Sequence, residues 1–121
     1  MIENLNGLHE TVMYKANSNT RLFINTECEN YPAHWHTAVE IIMPTVSSYS
    51  ILLGDYKLEL DTGDIAIICP GVVHTLYAPD FGERIIFQAE ISMFHAIKEF
   101  ESILSLISPV IHITSQNAPD V

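Results

Sequence analysis

From His9 to Ile91 the chain is built from short runs rich in β-branched and aromatic residues, separated by turn formers rather than by helical repeats. The pattern predicts strands over 11–15, 21–28, 39–43, 49–53, 56–60, 64–69, 74–77 and 84–90. Eight strands without intervening helices predict a mainly β domain of the sandwich or jelly-roll kind. Leu53-Gly54-Asp55-Tyr56 reads as a tight hairpin, because glycine admits positive φ at low cost. Asp61-Thr62-Gly63-Asp64 reads as a second turn. Pro70-Gly71 ends the apolar strand before it, since proline removes a ladder donor and glycine permits the bend. The stretch 78–83, with Pro79, Asp80 and Gly82, reads as an exposed loop.

Past Ile91 the period changes. Met93, Ile97, Phe100, Leu104 and Ile107 recur at spacings of three and four, with Ser92 as N-cap and Pro109 as stop. The opposite positions, Lys98, Glu99, Glu101, Ser102 and Ser105, are polar, which predicts an amphipathic helix with one docking face. Val110 to Thr114 reads as one more short strand, and 115–121 as a polar connector. The expected organisation is a single domain over 1–121, with a barrel at about 9–91 and a helix and tail at about 92–121.

Composition narrows the possible roles. With 121 residues, 48% of them apolar and 17% charged, the chain can bury enough surface for one folded domain. Five basic against fifteen acidic residues give a formal charge of −10, which opposes binding to a phosphate backbone by this chain alone. Apolar runs such as 65–68 fall far short of the roughly 20 residues that span a bilayer, so no membrane helix is expected. The opening Met1-Ile2-Glu3-Asn4 has no basic or apolar export signal, which predicts a cytoplasmic protein. Cys28 and Cys69 share no CxxC spacing and are expected as reduced, half-buried thiols.

The segment that points to chemistry is His34-Trp35-His36-Thr37-Ala38-Val39-Glu40, answered downstream by His74. On one continuous extended strand, His34, His36 and Glu40 share a face, while Trp35 has the opposite parity and packs outside. A neighbouring barrel strand would bring His74 alongside to complete the set. Three imidazoles and a carboxylate suit a divalent cation such as Zn, Ni, Fe or Mn, without choosing among them. The same four side chains serve equally as hydrogen-bonding groups toward a small polar ligand. No catalytic residue is assigned, and Tyr49, Tyr56, Tyr77 and Phe87 are expected in the core.

These residues resemble the two motifs of the cupin family: His-x-His followed closely by Glu, then turn residues before a further His. His34, His36, Glu40 and His74 match them position by position. The likeness departs at Cys28, where a glycine is expected, and at Pro70-Gly71, which lacks an intervening residue. It implies a double-stranded β-helix with a cavity between its sheets. More narrowly, His34-Trp35-His36, Val39-Glu40-Ile41-Ile42, Gly63-Asp64-Ile65 and Pro70-Gly71-Val72-Val73-His74 look like the N-terminal sensing domain of AraC-type transcription regulators. That resemblance implies a small-molecule effector in the barrel, a sugar or other polar metabolite. It also implies a homodimer formed through Ile97, Phe100, Leu104 and Ile107, and a helix-turn-helix DNA-binding domain that this chain does not contain. The rival expectation is a metal-dependent cupin enzyme, an isomerase or dioxygenase, with the same four residues as ligands.

Overall fold

The computed structural model describes residues 2–14, 18–90 and 110–114. A small antiparallel ladder, β1 (Leu5–Asn6) with β2 (His9–Glu10), precedes the main body. The body comprises β3 (Thr20–Asn25), β4 (Tyr31–His34), β5 (Ala38–Val46), β6 (Tyr49–Leu53), β7 (Tyr56–Leu60), β8 (Ile65–Ile68), β9 (His74–Tyr77), β10 (Glu83–Glu90) and β11 (Val110–Ile113). Five of these form one antiparallel sheet in the order β11-β8-β5-β10-β3, and four form a second in the order β4-β9-β6-β7. From β3 to β10 the chain passes back and forth between the two sheets, which is jelly-roll connectivity.

The core lies between the sheets. Ile42 of β5, Tyr49 and Ile51 of β6, Leu58 and Leu60 of β7, Ala66 and Ile68 of β8 and Leu76 of β9 are buried together. Each buried Ile or Leu side chain among them contributes about 1.5–3 kcal/mol relative to exposure. The turns that return the chain to this core are those legible in the sequence. Gly54 (φ 60) closes the β6–β7 hairpin, whose register pairs Leu53 with Tyr56. At the second turn the Gly63 amide donates to the Pro44 carbonyl at 2.9 Å, tying it to β5. Phe81 in the loop before β10 is 76% exposed, as expected there.

Four expectations need correction. No strand covers Thr11 to Tyr14, and Lys15 lies outside the described residues. The pairing instead comes earlier, because Asn4 (φ 58) and Gly7 (φ 61) bend the chain into the β1–β2 ladder, and the Thr11 amide closes on the Asn4 carbonyl at 3.1 Å. Tyr56 and Tyr77 are 63% and 39% exposed rather than core: Tyr77 stands at the outward parity of β9, while Tyr56 shares the parity of Leu58 and Leu60 but sits at the hairpin end of β7. Cys28 is exposed, since β3 ends at Asn25 and leaves it in the connection to β4. The strand expected at 110–114 is present as β11, beside β8. The helix expected over 92–107, including Met93, Ile97, Phe100, Leu104 and Ile107, lies outside the described residues.

Candidate functional site

Burial alternates strictly along the motif: His34, His36, Ala38 and Glu40 are buried, while Trp35 and Val39 are half-buried and Thr37 is exposed. The parity read from the sequence holds, but the single uninterrupted strand does not. His34 ends β4 in one sheet, His36 occupies the crossing segment, and Glu40 belongs to β5 in the other sheet. The crossing has local causes. The Thr37 hydroxyl donates to Glu90 Oε1 at 3.0 Å, and the Gly71 amide donates to the His36 carbonyl at 2.9 Å. Gly71 has φ 80, so the Pro70-Gly71 turn both ends β8 and anchors the backbone of a site residue.

His74 completes the cluster from β9, directly opposite His34 of β4. One nitrogen from each of His34, His36 and His74 lies within 4.8 Å of the others, and all three residues are buried. Their orientation is set by the backbone. Nδ1 of His34 lies 2.7 Å from the Pro32 carbonyl, Nδ1 of His36 3.1 Å from Ala38, and Nδ1 of His74 2.8 Å from Val72. A carbonyl oxygen only accepts, so each Nδ1 carries its hydrogen and each neutral ring keeps its lone pair on Nε2. These are the tautomers that ligate a metal through Nε2, held by the outer hydrogen bonds such sites use.

Glu40 closes the arrangement. Its Oε2 lies 3.1 Å from Nε2 of His36 and 3.3 Å from Nε2 of His74, and its Oε1 accepts from Gln88 Nε2 at 3.1 Å. Burial alone would raise the Glu40 carboxyl, but the facing imidazoles hold it well below the ordinary carboxylate range. For His36, burial works to lower the ring and is outweighed by Glu40, leaving it raised. His34 is pushed down to about 4, by burial first and by His74 second. Nε2 of His74 has no hydrogen-bond partner despite its proximity to Glu40. With Nδ1 protonated, a second proton on His36 or a cation must separate Nε2 from the carboxylate. Three convergent Nε2 atoms, one of them orphaned, and a buried carboxylate therefore fit a divalent cation.

Sequence reasoning missed two further members. Glu10 enters because Trp35 pairs in parallel with His9: the Trp35 amide donates to Leu8 at 2.7 Å, and the Glu10 amide donates to Trp35 at 2.8 Å. Glu10 Oε1 thereby lies 3.7 Å from Nε2 of His34, and burial raises its carboxyl. Trp35 itself stacks on His9 with centroids 4.3 Å apart, outside the site as its parity implied. Gln88, the other missed residue, shares inward parity on β10 with Arg84 and Ile86. A cavity of about 310 Å³ opens beside this cluster, lined by His34, Glu40 and Gln88 together with Asn25, Glu27 and Tyr31. Phe23 and Ile86 supply apolar walls, and the N-terminal segment with Glu10 forms part of its boundary.

No known family description matches the chain, and no curated protein does either. Solved structures do. A cupin-2 domain containing protein from Shewanella frigidimarina superposes with a TM-score of 0.56 at 18% identity, covering 66% of this chain and 78% of that one. Apo ToxT from Vibrio cholerae gives 0.55 at 5% identity, covering 82% of this chain and 43% of that chain. Oxalate decarboxylase from Bacillus subtilis, in a structure concerned with its Mn(II) centres, gives 0.54 at 15% identity, covering 77% of this chain and 30% of that chain. In the last two the shared barrel is less than half of a longer chain. At these identities the likeness establishes the fold, which is a cupin barrel.

Proposed function

We propose that this chain is the effector-sensing domain of an AraC-type transcription regulator, binding a small polar metabolite inside the barrel to control an attached DNA-binding domain. The observation that carries this reading is the 310 Å³ cavity lined by His34 and Glu40, two members of the buried His34–His36–Glu40–His74 cluster. That volume lies at the small end of the range for metabolite pockets. Its boundary is drawn from two parts of the chain, the barrel strands and the segment carrying Glu10. A ligand touching both favours one relative arrangement of them, and such differential contact is what moves a regulatory equilibrium. Where a divalent cation is held, His34, His36, His74 and Glu40 hold it, and it supplies a Lewis-acid anchor for an effector oxygen. The expected homodimer, through Ile97, Phe100, Leu104 and Ile107, and a cytoplasmic location belong to the same reading.

The test joins the chain to a helix-turn-helix reader in a reporter strain and scans polar metabolites. An effector that changes reporter output should also raise the melting temperature of the purified domain. His36→Ala and His74→Ala should remove both effects while keeping the β-sheet circular dichroism. Effector responses that survive both substitutions would remove the site from the mechanism.

One observation favours a second reading, a metal-dependent isomerase or dioxygenase. Glu10, with its raised carboxyl 3.7 Å from His34, is placed as a general acid or base beside the cluster. Turnover by the cation-loaded chain that disappears in Glu10→Gln, with the cation retained, would establish it.

A further inference from the structure

Arg84 is unlike any other cation in the described part of the chain. It is 0% exposed, and its Nε and Nη2 have no hydrogen-bond partner. Its remaining hydrogen bond is long, Nη1 donating to the Glu27 carbonyl at 3.4 Å. The guanidinium carbon lies 5.1 Å from the centre of the Tyr31 ring and 5.0 Å from that of Tyr49, and the Tyr49 hydroxyl is also without a partner. Burying a guanidinium while leaving two donors unmet works against folding, and an apolar side chain of similar length would serve the barrel better. A residue kept against that cost points to a counter-group supplied from outside the chain.

The geometry restricts that counter-group. Nε and Nη2 form one edge of the guanidinium, with their N–H bonds directed the same way, so the unmet donors are a planar two-pronged fork. A carboxylate presents two coplanar oxygens and completes such a fork bidentately. Arg84 also lines a void of about 20 Å³ shared with His34, Glu40, His74 and Leu76. Tyr31, His34, Glu40 and Ile86 line this void and the 310 Å³ cavity alike, so the rest of a bound molecule has a place to lie. The like charge of Glu40 on the same void is offset where His36, 3.1 Å away, carries its second proton or a cation is held.

We propose that Arg84 receives the carboxylate of a small organic acid bound inside the barrel. The inference rests on the sensing reading and names the chemical class of its effector: an acid of a few carbons whose remainder extends into the larger cavity.

The experiment measures melting temperature of the full chain against acetate, propionate and butyrate, each beside its primary amide, with sodium chloride as the ionic control. The acids should raise the melting temperature saturably and the amides should not. Arg84→Met should melt at or above the parent without ligand, bind acid at least about tenfold more weakly, and keep its cation affinity. Arg84→Lys keeps the charge without the fork and should fall between the two. A parent indifferent to every acid, with Arg84→Met melting well below it, would make Arg84 a structural strut and overturn the proposal. Equal stabilisation by chloride or by the amides would overturn it as well. A response confined to sugars and lost in His36→Ala would overturn the carboxylate assignment while leaving the sensing reading intact. If neither Arg84 variant folds, the parent's preference for acids over amides decides the matter alone.

Discussion

His34 on β4 and His74 on β9 are direct cross-strand partners, buried, with ring centres 4.2 Å apart. Two imidazolium ions cannot share that space cheaply, and burial together with His74 pushes His34 down to about 4. The folded state therefore resists a proton that the unfolded chain accepts at its ordinary value of 6.5. Between pH 6.5 and 4 the unfolded state binds more protons, so stability falls as pH falls, at no more than about 1.4 kcal/mol per pH unit from this group. Glu40, whose folded value is lowered, adds a loss in the same direction below its ordinary 4.5. His36 has the opposite sign: its folded value is raised, so its contribution is complete below 6.5 and is lost as pH rises through that raised value. Urea midpoints of the cation-free chain should therefore peak near neutrality and decline toward pH 4. His34→Gln should flatten the acid side, and a flat profile in the parent would contradict the burial of a neutral ring.

Cation binding should compete with protons. The raised His36 ring must give up its Nε2 proton before that atom ligates, so affinity for Zn²⁺ or Mn²⁺ should weaken as pH falls and binding should release protons. Calorimetry in two buffers of different ionisation enthalpy measures the release directly. One site per chain is expected. His36→Ala and His74→Ala should each weaken it by more than the roughly 100-fold that loss of an outer partner brings.

The Gln88 amide fixes Glu40 by donating to its Oε1 at 3.1 Å. Gln88→Leu should therefore preserve the fold and lower cation affinity by about 10–100-fold. Unaltered affinity, measured by the same calorimetry, would show that Glu40 holds its pose without this donor.

Gly82 marks a tight approach before β10. A Cβ there would meet Pro79 Cγ and Tyr49 Oη, both at 2.8 Å, and the Val46 carbonyl at 3.1 Å. Gly82→Ala should destabilise by about 1–3 kcal/mol through overpacking. Adding Tyr49→Phe removes one of the three clashing atoms and should restore part of the loss. The coupling is read from urea unfolding of the four chains in a double-mutant cycle.

The sequence revealed the site's members better than their placement. His34, His36, Glu40 and His74 could be picked out because imidazoles two apart and a carboxylate at the same parity are rare within an apolar strand region. That the chain changes sheets between His34 and Glu40 left no mark in the alternation, since inside and outside continue to alternate through the crossing. Glu10 was invisible because its position depends on a parallel bridge between His9 and Trp35, which no local periodicity encodes. On β10, apolar residues occupy both parities, so Arg84-Ile85-Ile86-Phe87-Gln88 does not disclose which face turns inward. The structure turns Arg84, Ile86 and Gln88 inside, placing two polar groups where the apolar Ile85 and Phe87 would have been the simpler choice.

The passage of the motif from one sheet to the other has a mechanical consequence. His34 and His74 ride on the four-stranded sheet and Glu40 on the five-stranded one, so whatever joins them is a clasp across the seam of the barrel. Prising the sheets apart by a few ångströms dissolves the site altogether, and filling the site resists that prising. Occupancy should therefore slow amide exchange on β5 and β9 together, although the two strands share no ladder.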